Sequence, residues 1–140
     1  MRLVVVDTNV LVSAGIAPYG APAKLLFEWI LGGHVGLAIS QTVAEEYRLV
    51  FRRPKFIRYG FPPRWLEYLI GESLWLEDPE PWPQPGPDPK DLPFLALAHA
   101  AGAWLVTGNL KHFPEPVRNG VTVISPADYL AHLAGDSSPA

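Results

Sequence analysis

The chain has 140 residues, of which 49% are hydrophobic and 18% are charged, and these values fit one globular domain with a sizeable core. Because the sequence contains no cysteine, disulfides, thiolate catalysis and zinc–thiolate sites are excluded. This composition is compatible with a reducing cytoplasm, where we expect the chain to act. We expect neither a signal peptide nor a membrane-spanning segment. The net charge of −3 argues against capture of nucleic acid by the whole surface.

Short apolar strands alternate with helices along the predicted secondary structure. We predict strands at 3–6, 35–39, 74–76, 103–107 and 121–124, and helices at 22–31, 41–51, 65–70, 91–101 and 126–133. The proline-rich segment 79–89 is expected to be extended, since proline removes helical hydrogen bonds. The alternation predicts a three-layer α/β/α sandwich with a mostly parallel central sheet. We expect one domain over residues 1–134 and a disordered tail over residues 135–140.

Asp7 directly follows the first predicted strand, which is apolar throughout and therefore expected to be buried on both faces. In an open α/β sheet, ligands bind in the crevice beyond the carboxyl ends of the strands. Asp7 is thus a candidate for chemistry. The alternative is that its carboxylate caps a helix or stabilises a turn.

Glu46 borders the apolar stripe of the helix predicted at 41–51, which consists of Val43, Tyr47 and Val50. A carboxylate at that position needs a partner, because burying it unpaired is costly. A metal ion is one such partner, and a salt bridge at the rim of the helix is the alternative. Glu45 is expected to face solvent.

Asp91 and Asn109 extend this group of polar oxygens. Asp91 precedes the helix predicted at 91–101, where it also suits the role of an N-cap. Asn109 follows a buried strand, as Asp7 does, so the two side chains meet if their strands are neighbours. A turn role for Asn109 is the alternative. Carboxylate and amide oxygens are the ligands that Mg²⁺ and Mn²⁺ prefer.

The motifs around these residues resemble those of PIN-domain ribonucleases, and in particular the VapC-like toxins of toxin–antitoxin systems. The resemblance covers roughly residues 3–133. The motifs that carry it are Val6-Asp7-Thr8-Asn9, Glu46-Tyr47-Arg48, Asp88-Pro89-Lys90-Asp91 and Leu105-Val106-Thr107-Gly108-Asn109. The resemblance implies a divalent-metal-dependent endoribonuclease that cleaves single-stranded RNA, with Asp7, Glu46 and Asp91 as ligands for Mg²⁺ or Mn²⁺.

The fourth catalytic position implied by the resemblance is Asn109, where the family typically has Asp. An amide oxygen can coordinate a metal ion or hold a metal-bound water, but it brings no negative charge. We therefore expect weaker metal binding, for which Asp88 could compensate. The resemblance also implies a small antitoxin partner and a homodimer, with which the apolar residues of the helix at 22–31 are compatible.

A basic segment, residues 48–64, holds six of the eleven basic residues and no acidic residue. Aromatic residues at positions 51, 56, 59 and 61 are interleaved with the basic ones. Cations that contact phosphates and aromatic faces that stack on bases form single-strand binding surfaces. We predict that Arg52, Arg53 and Lys55 bind RNA. The alternative is a solvated helix end beside core aromatics.

Two other functions remain as alternatives to the nuclease. The first is a non-catalytic module that binds RNA or a protein partner on the same fold, which the missing charge at Asn109 favours. The second is a phosphatase with Asp7 as nucleophile, but that arrangement requires an acid where Asn9 stands. The histidines at 34, 99, 112 and 132 have no metal-ligand spacing and are interpreted as structural or surface residues.

Overall fold

A computed structural model describes the backbone of residues 2–136. Five parallel strands form one sheet in the order β3-β2-β1-β4-β5. The strands are β1 (Arg2–Val6), β2 (Val35–Ile39), β3 (Leu74–Trp75), β4 (Trp104–Val106) and β5 (Val123–Ile124). The predicted parallel α/β fold is therefore confirmed. The sheet order places β1 beside β4, with Val6 opposite Val106, so that the residues following both strands emerge at the same edge.

Seven α-helices cover the sheet in the described part of the chain. They are α1 (Thr8–Ile16), α2 (Ala21–Ala23), α3 (Gln41–Phe51), α4 (Arg64–Glu72), α5 (Leu92–Ala101), α6 (Glu115–Arg118) and α7 (Pro126–Asp136). Short 3₁₀ helices lie at Pro54–Tyr59, Pro89–Asp91 and Leu110–His112. No single described helix is long and apolar enough to cross a membrane, although the bent pair Thr8–Ile16 and Ala21–Ile30 has the length and composition of a span.

Helix α1 begins immediately after Asp7, in a segment where the sequence predicts no helix. Most of its side chains are buried, including Val10, Leu11 and Ala14. A helix enclosed by the core shows no alternation of polar and apolar residues at the helical period. Its β-branched residues also have low helix propensity, so local sequence does not indicate it.

The helix predicted at 22–31 contains a π-helical stretch, Lys24–Ile30. The wide turn is visible where the amide of Leu31 donates to the carbonyl of Leu26, five residues earlier. Leu25, Leu26 and Ile30 of this stretch are buried, whereas Phe27 is 39% exposed. Of the apolar residues Leu26, Phe27, Trp29 and Ile30, which are compatible with a homodimer surface, Leu26 and Ile30 are thus part of the core.

Element ends differ from the predictions by small amounts elsewhere. β4 and β5 are shorter than predicted, and α7 continues through residues 134–136. The predicted tail at 135–140 therefore begins inside α7, and its residues 137–140 lie outside the described residues. The segment 79–89 contains no helix or strand up to Asp88, as its prolines predict.

Tyr47 connects α3 to the end of β1. Its side chain is fully buried, and its hydroxyl donates to the carbonyl oxygen of Val6 at 2.6 Å. Ser40 fixes the start of the same helix, because its Oγ accepts from the amide of Val43. These bonds define the position of α3 relative to the carboxyl edge of the sheet, and with it the position of Glu46.

Replacing Tyr47 by Phe removes the buried hydrogen bond to Val6 while preserving the ring. We expect the free energy of unfolding to fall by about 1 kcal/mol, because a buried hydrogen bond contributes on that scale. Urea denaturation followed by circular dichroism measures the change. The matched control is Tyr68→Phe, since Tyr68 is 60% exposed. An equal effect in both variants would contradict the role of the buried hydroxyl.

Candidate active site

Asp7 lies at the carboxyl edge of the sheet and is 5% exposed. Its Oδ2 accepts from the Thr107 hydroxyl at 2.8 Å and from the Asn9 side-chain amide at 3.2 Å. Asn9 is itself held by the amide of Gly108, which donates to its Oδ1 at 3.0 Å. Asp7 occupies the N-cap position of α1, but no capping hydrogen bond from its side chain accompanies this position.

Burial raises the pKa of Asp7 from 3.8 to about 6. The hydrogen bond from Thr107 and the nearby amides of Thr8 and Asn9 lower the pKa, while repulsion by the Asp91 carboxylate raises it further. Desolvation outweighs the hydrogen bonds. The ionised form of Asp7 is therefore held at a cost, which a nearby cation would reduce.

Asp91 is joined to Asn109 through His112. Nδ1 of His112 lies 2.8 Å from Oδ2 of Asp91, and its Nε2 lies 2.8 Å from Nδ2 of Asn109. The backbone amide of Asn109 donates to the Thr107 hydroxyl at 3.0 Å, and that hydroxyl donates to Asp7. A continuous hydrogen-bonded chain thus links the predicted site residues Asp7, Asn109 and Asp91.

Asp91 occupies the N-cap position of α5, but its carboxylate makes no capping bond there. Asp88 caps the preceding turn instead, because its carboxylate accepts from the amide of Lys90 at 3.0 Å. Burial raises the pKa of Asp91, the short contact with His112 opposes the rise, and repulsion by Asp88 adds to it. The carboxylate is available for a role other than capping.

Glu46 is half-buried on α3, whereas Glu45 is exposed and accepts a hydrogen bond from Gln41. The helical phase inferred from the apolar stripe is therefore confirmed. Burial raises the pKa of Glu46, the cations of Arg53 and Lys90 lower it, and repulsion by Asp91 and Asp88 raises it. The Glu46 and Asp91 carboxylates are therefore close enough to repel each other.

Several oxygens of this group have no hydrogen-bond donor within the described residues. They include the Glu46 carboxylate, Oδ1 of Asp91 and the buried hydroxyl of Thr8. Within the same part of the chain, no three His, Asp or Glu side chains stand close enough together to enclose a metal ion. Mutual repulsion keeps bare carboxylates apart, and a divalent cation would draw them inward. The donor set is of the type that Mg²⁺ and Mn²⁺ prefer.

The basic segment divides into residues with partners in the fold and residues that face solvent. Arg48 forms a two-pronged ion pair with Glu67, at 2.9 and 3.0 Å. Arg52, Arg53 and Lys55 are exposed, and Arg53 interacts with Glu46. The predicted RNA-binding cations are thus accessible at a surface that adjoins the acidic group.

Two of the four aromatic residues in the basic segment belong to the core. Phe51 and Phe61 are buried and stack with ring centroids 4.9 Å apart. Phe56 is half-buried below the Lys55 ammonium, and Tyr59 is exposed beside Arg58. The alternative of core aromatics therefore holds for Phe51 and Phe61, which are not open to bases.

His112 contacts two candidate site residues, although its sequence context predicts only a structural or surface role. Its partner Asp91 is 21 residues away in sequence, on a different element. No spacing rule connects the two positions. The spacing of His112 from Asn109 is the local feature that could have indicated this contact. His112 lies three residues after Asn109, so the two side chains can meet across one 3₁₀ turn.

Residues 3–111 of the sequence match the PIN domain family. The chain belongs to the PIN domain family. The matched range includes Asp7, Glu46, Asp91 and Asn109, and it ends one residue before His112. No protein of curated function matches the sequence.

Solved structures share the fold of this PIN domain. VapBC2 from Rickettsia felis, bound to a DNA fragment from its promoter, has a TM-score of 0.61 at 17% identity over 89% of this chain and 98% of the other. FitAcB from Neisseria gonorrhoeae has a TM-score of 0.56 at 20% identity over 89% and 98%. FitAB bound to IR36 DNA has a TM-score of 0.55 at 20% identity over 88% and 94%. At these identities, the likeness establishes the fold.

The raised pKa of Asp7 predicts the pH dependence of the metal-free PIN domain. The folded state retains the Asp7 proton to about pH 6, whereas the unfolded state releases it near pH 3.8. The Asp7 contribution to stability is therefore lost as the pH rises from about 4 to about 6. In EDTA at pH 7, Asp7→Asn should unfold at a higher temperature, with a gain of up to about 3 kcal/mol.

Thermal unfolding of the Asp7→Asn variant between pH 4 and 7 measures this gain. The matched control is Asp128→Asn, since Asp128 is exposed. The gain should be largest at pH 7 and small at pH 4. A gain that does not change with pH would contradict desolvation of the Asp7 carboxylate as its cause.

Proposed function

We propose that this PIN domain is an endoribonuclease that hydrolyses phosphodiester bonds of single-stranded RNA with the help of Mg²⁺ or Mn²⁺. The observation that supports the proposal is that hydrogen bonds link Asp7, Asn109 and Asp91 at the carboxyl edge of one sheet, while the Glu46 carboxylate interacts electrostatically with Asp91. They come from four separate parts of the chain. Members of the PIN domain family are generally nucleases, and this activity agrees with the proposed hydrolysis of phosphodiester bonds.

The protein groups have distinct roles in the proposed reaction. Asp7, Glu46 and Asp91 would hold the metal ion, and the Asn109 amide oxygen would bind the ion or its water. The bound ion would activate water and offset charge on the transferring phosphoryl group. Thr107 and Asn9 orient Asp7 through the hydrogen bonds at its Oδ2. Arg53 adjoins Glu46 and would direct the RNA backbone toward the carboxylates.

We further propose that the nuclease is the toxin of a toxin–antitoxin pair and acts in the cytoplasm. The likeness to VapBC2 and FitAB assemblies supports a small antitoxin partner. Apolar side chains that remain exposed, such as Leu49 at 63% and Ile57 at 67%, offer area for such a partner. A homodimer is a second proposal on the same grounds, and analytical ultracentrifugation of the purified chain tests it.

A non-catalytic RNA-binding module is the second candidate function. The observation in its favour is that Asn109 is uncharged and its Nδ2 is committed to His112. Incubation with single-stranded RNA in Mn²⁺ or Mg²⁺, with EDTA and double-stranded RNA in parallel reactions, separates the two functions. Cleavage that requires the metal and a single strand supports the nuclease. RNA binding without cleavage in any metal supports the module.

Glu46→Gln should lower metal-dependent RNA cleavage by a factor of 10² or more, because it removes a ligand charge at nearly constant shape (order of magnitude from single-group losses in catalytic sites, roughly 10²–10³). Glu45→Gln is the matched control, since Glu45 is the adjacent exposed carboxylate. It should be nearly neutral. Initial rates at saturating Mn²⁺ provide the comparison. Equal losses in the two variants would contradict the assigned role of Glu46.

The double variant Arg52→Ala, Arg53→Ala should bind RNA more weakly and with a smaller dependence on salt. Each phosphate contact releases counterions, so the loss of two contacts on a single strand should decrease the slope of log affinity against log salt by about 1.4, which is about 0.7 per contact. Fluorescence anisotropy with labelled single-stranded RNA in Ca²⁺, across a salt series, measures both quantities. The control is Lys24→Ala, an exposed cation outside the basic segment. An unchanged slope would assign both arginines to the solvated helix end.

A further inference from the structure

His112 lies between two of the proposed site residues and contacts both. Its imidazole is 2.8 Å from Asp91 on one side and 2.8 Å from Asn109 on the other. An imidazole with both ring nitrogens engaged has a fixed plane. The two partners come from the start of α5 and the end of β4, so His112 connects elements that no backbone hydrogen bond joins at this point in the described chain.

The hydrogen-bond inventory of the three side chains fixes the direction of both bonds. A carboxylate only accepts, so Nδ1 of His112 carries a proton and donates to Oδ2 of Asp91. The Nδ2 group of Asn109 only donates, so Nε2 of His112 accepts from it. A neutral imidazole with its proton on Nδ1 satisfies both contacts. The pattern leaves Oδ1 of Asp91 and Oδ1 of Asn109 as acceptors that His112 does not occupy.

The turn that carries His112 is itself anchored. The His112 amide donates to the Asn109 carbonyl at 3.0 Å, within the 3₁₀ turn Leu110–His112. Phe113 follows and is fully buried, and its carbonyl accepts from Nε of Arg118 at 2.7 Å. The imidazole is 41% accessible, but its backbone is tied to the core on one side and to α6 on the other. The contact geometry is therefore imposed by the fold.

We propose that His112 is a positioning residue, which fixes the Asp91 carboxylate on one side and the Asn109 amide on the other, so that the free oxygen of each keeps one orientation toward a divalent cation or the water bound to it. The proposal rests on the proposed function. It explains how a site with an amide at its fourth position binds metal without the fourth charge, since preorganised ligands lose less conformational freedom on binding. Groups that orient metal ligands by hydrogen bonds typically change affinity about 10–100-fold when they are removed.

Three substitutions at His112 distinguish the effect of its bond to Asp91 from the effect of its bond to Asn109. His112→Ala removes both. His112→Asn places an amide near the position of Nδ1 and can still donate to Asp91. His112→Gln places an amide oxygen near the position of Nε2 and can still accept from Asn109. His34→Ala is the matched control, because His34 is exposed and contacts Trp29 outside the site.

Metal affinity is measured by the rise in melting temperature of each full-length variant across a Mn²⁺ titration, and kcat and KM for single-stranded RNA are measured at saturating Mn²⁺. We expect the apparent Kd for Mn²⁺ to rise about 10–100-fold in His112→Ala. At least one of His112→Asn and His112→Gln should recover part of the loss. KM for RNA and the His34→Ala control should remain unchanged.

Two results would overturn the positioning role while leaving the proposed function in place. The first is an unchanged Mn²⁺ affinity in His112→Ala. The second is a loss in His112→Ala that neither amide variant recovers, because that result assigns His112 a structural role. If the unsubstituted protein shows neither stabilisation by Mn²⁺ nor RNA cleavage, the proposed function itself fails, and the positioning role fails with it.

Discussion

The burial of the Asp7 carboxylate is the constraint on which the candidate site depends. A charged carboxylate directly after Val4, Val5 and Val6, which are fully buried, is costly unless donors or a cation compensate its charge. Thr107 and Asn9 supply donors to one of its oxygens. They offset only part of the cost, because the pKa of Asp7 remains raised to about 6. The parallel pairing of β1 with β4 produces this arrangement, since it brings Thr107 to the edge where Asp7 emerges.

Two of the side-chain capping bonds near this edge come from groups other than the candidate ligands. The Ser40 hydroxyl caps α3, and Asp88 caps the turn before α5. As a result, the carboxylates of Glu46 and Asp91 make no capping hydrogen bonds. Tyr47 ties α3 to β1, and His112 ties Asp91 to Asn109. The site is thus assembled by tertiary contacts between elements, and each contact fixes one side chain.

Local signals were sufficient to predict α3 and the phase of Glu46, because Ser40 marks the start of the helix and its buried residues recur at the helical period. They were insufficient for α1, whose side chains are mostly enclosed by the core, and for the π-helical turn after Lys24. Asp7, Asp91 and Asn109 could be nominated because each stands at the end of an element. The role of His112 could not, because it depends on a contact across 21 residues of sequence.

A crystal of the full chain soaked in Mn²⁺, with anomalous scattering measured at the manganese edge, tests the central claim most directly. The account predicts one strong anomalous peak between the carboxylates of Asp7, Glu46 and Asp91, at oxygen distances of roughly 2.0–2.3 Å (order of magnitude for hard divalent cations). The Asn109 oxygen or a water held by it should complete the coordination. A peak elsewhere on the surface, or none at saturating Mn²⁺, would contradict a metal-dependent site at this edge of the sheet.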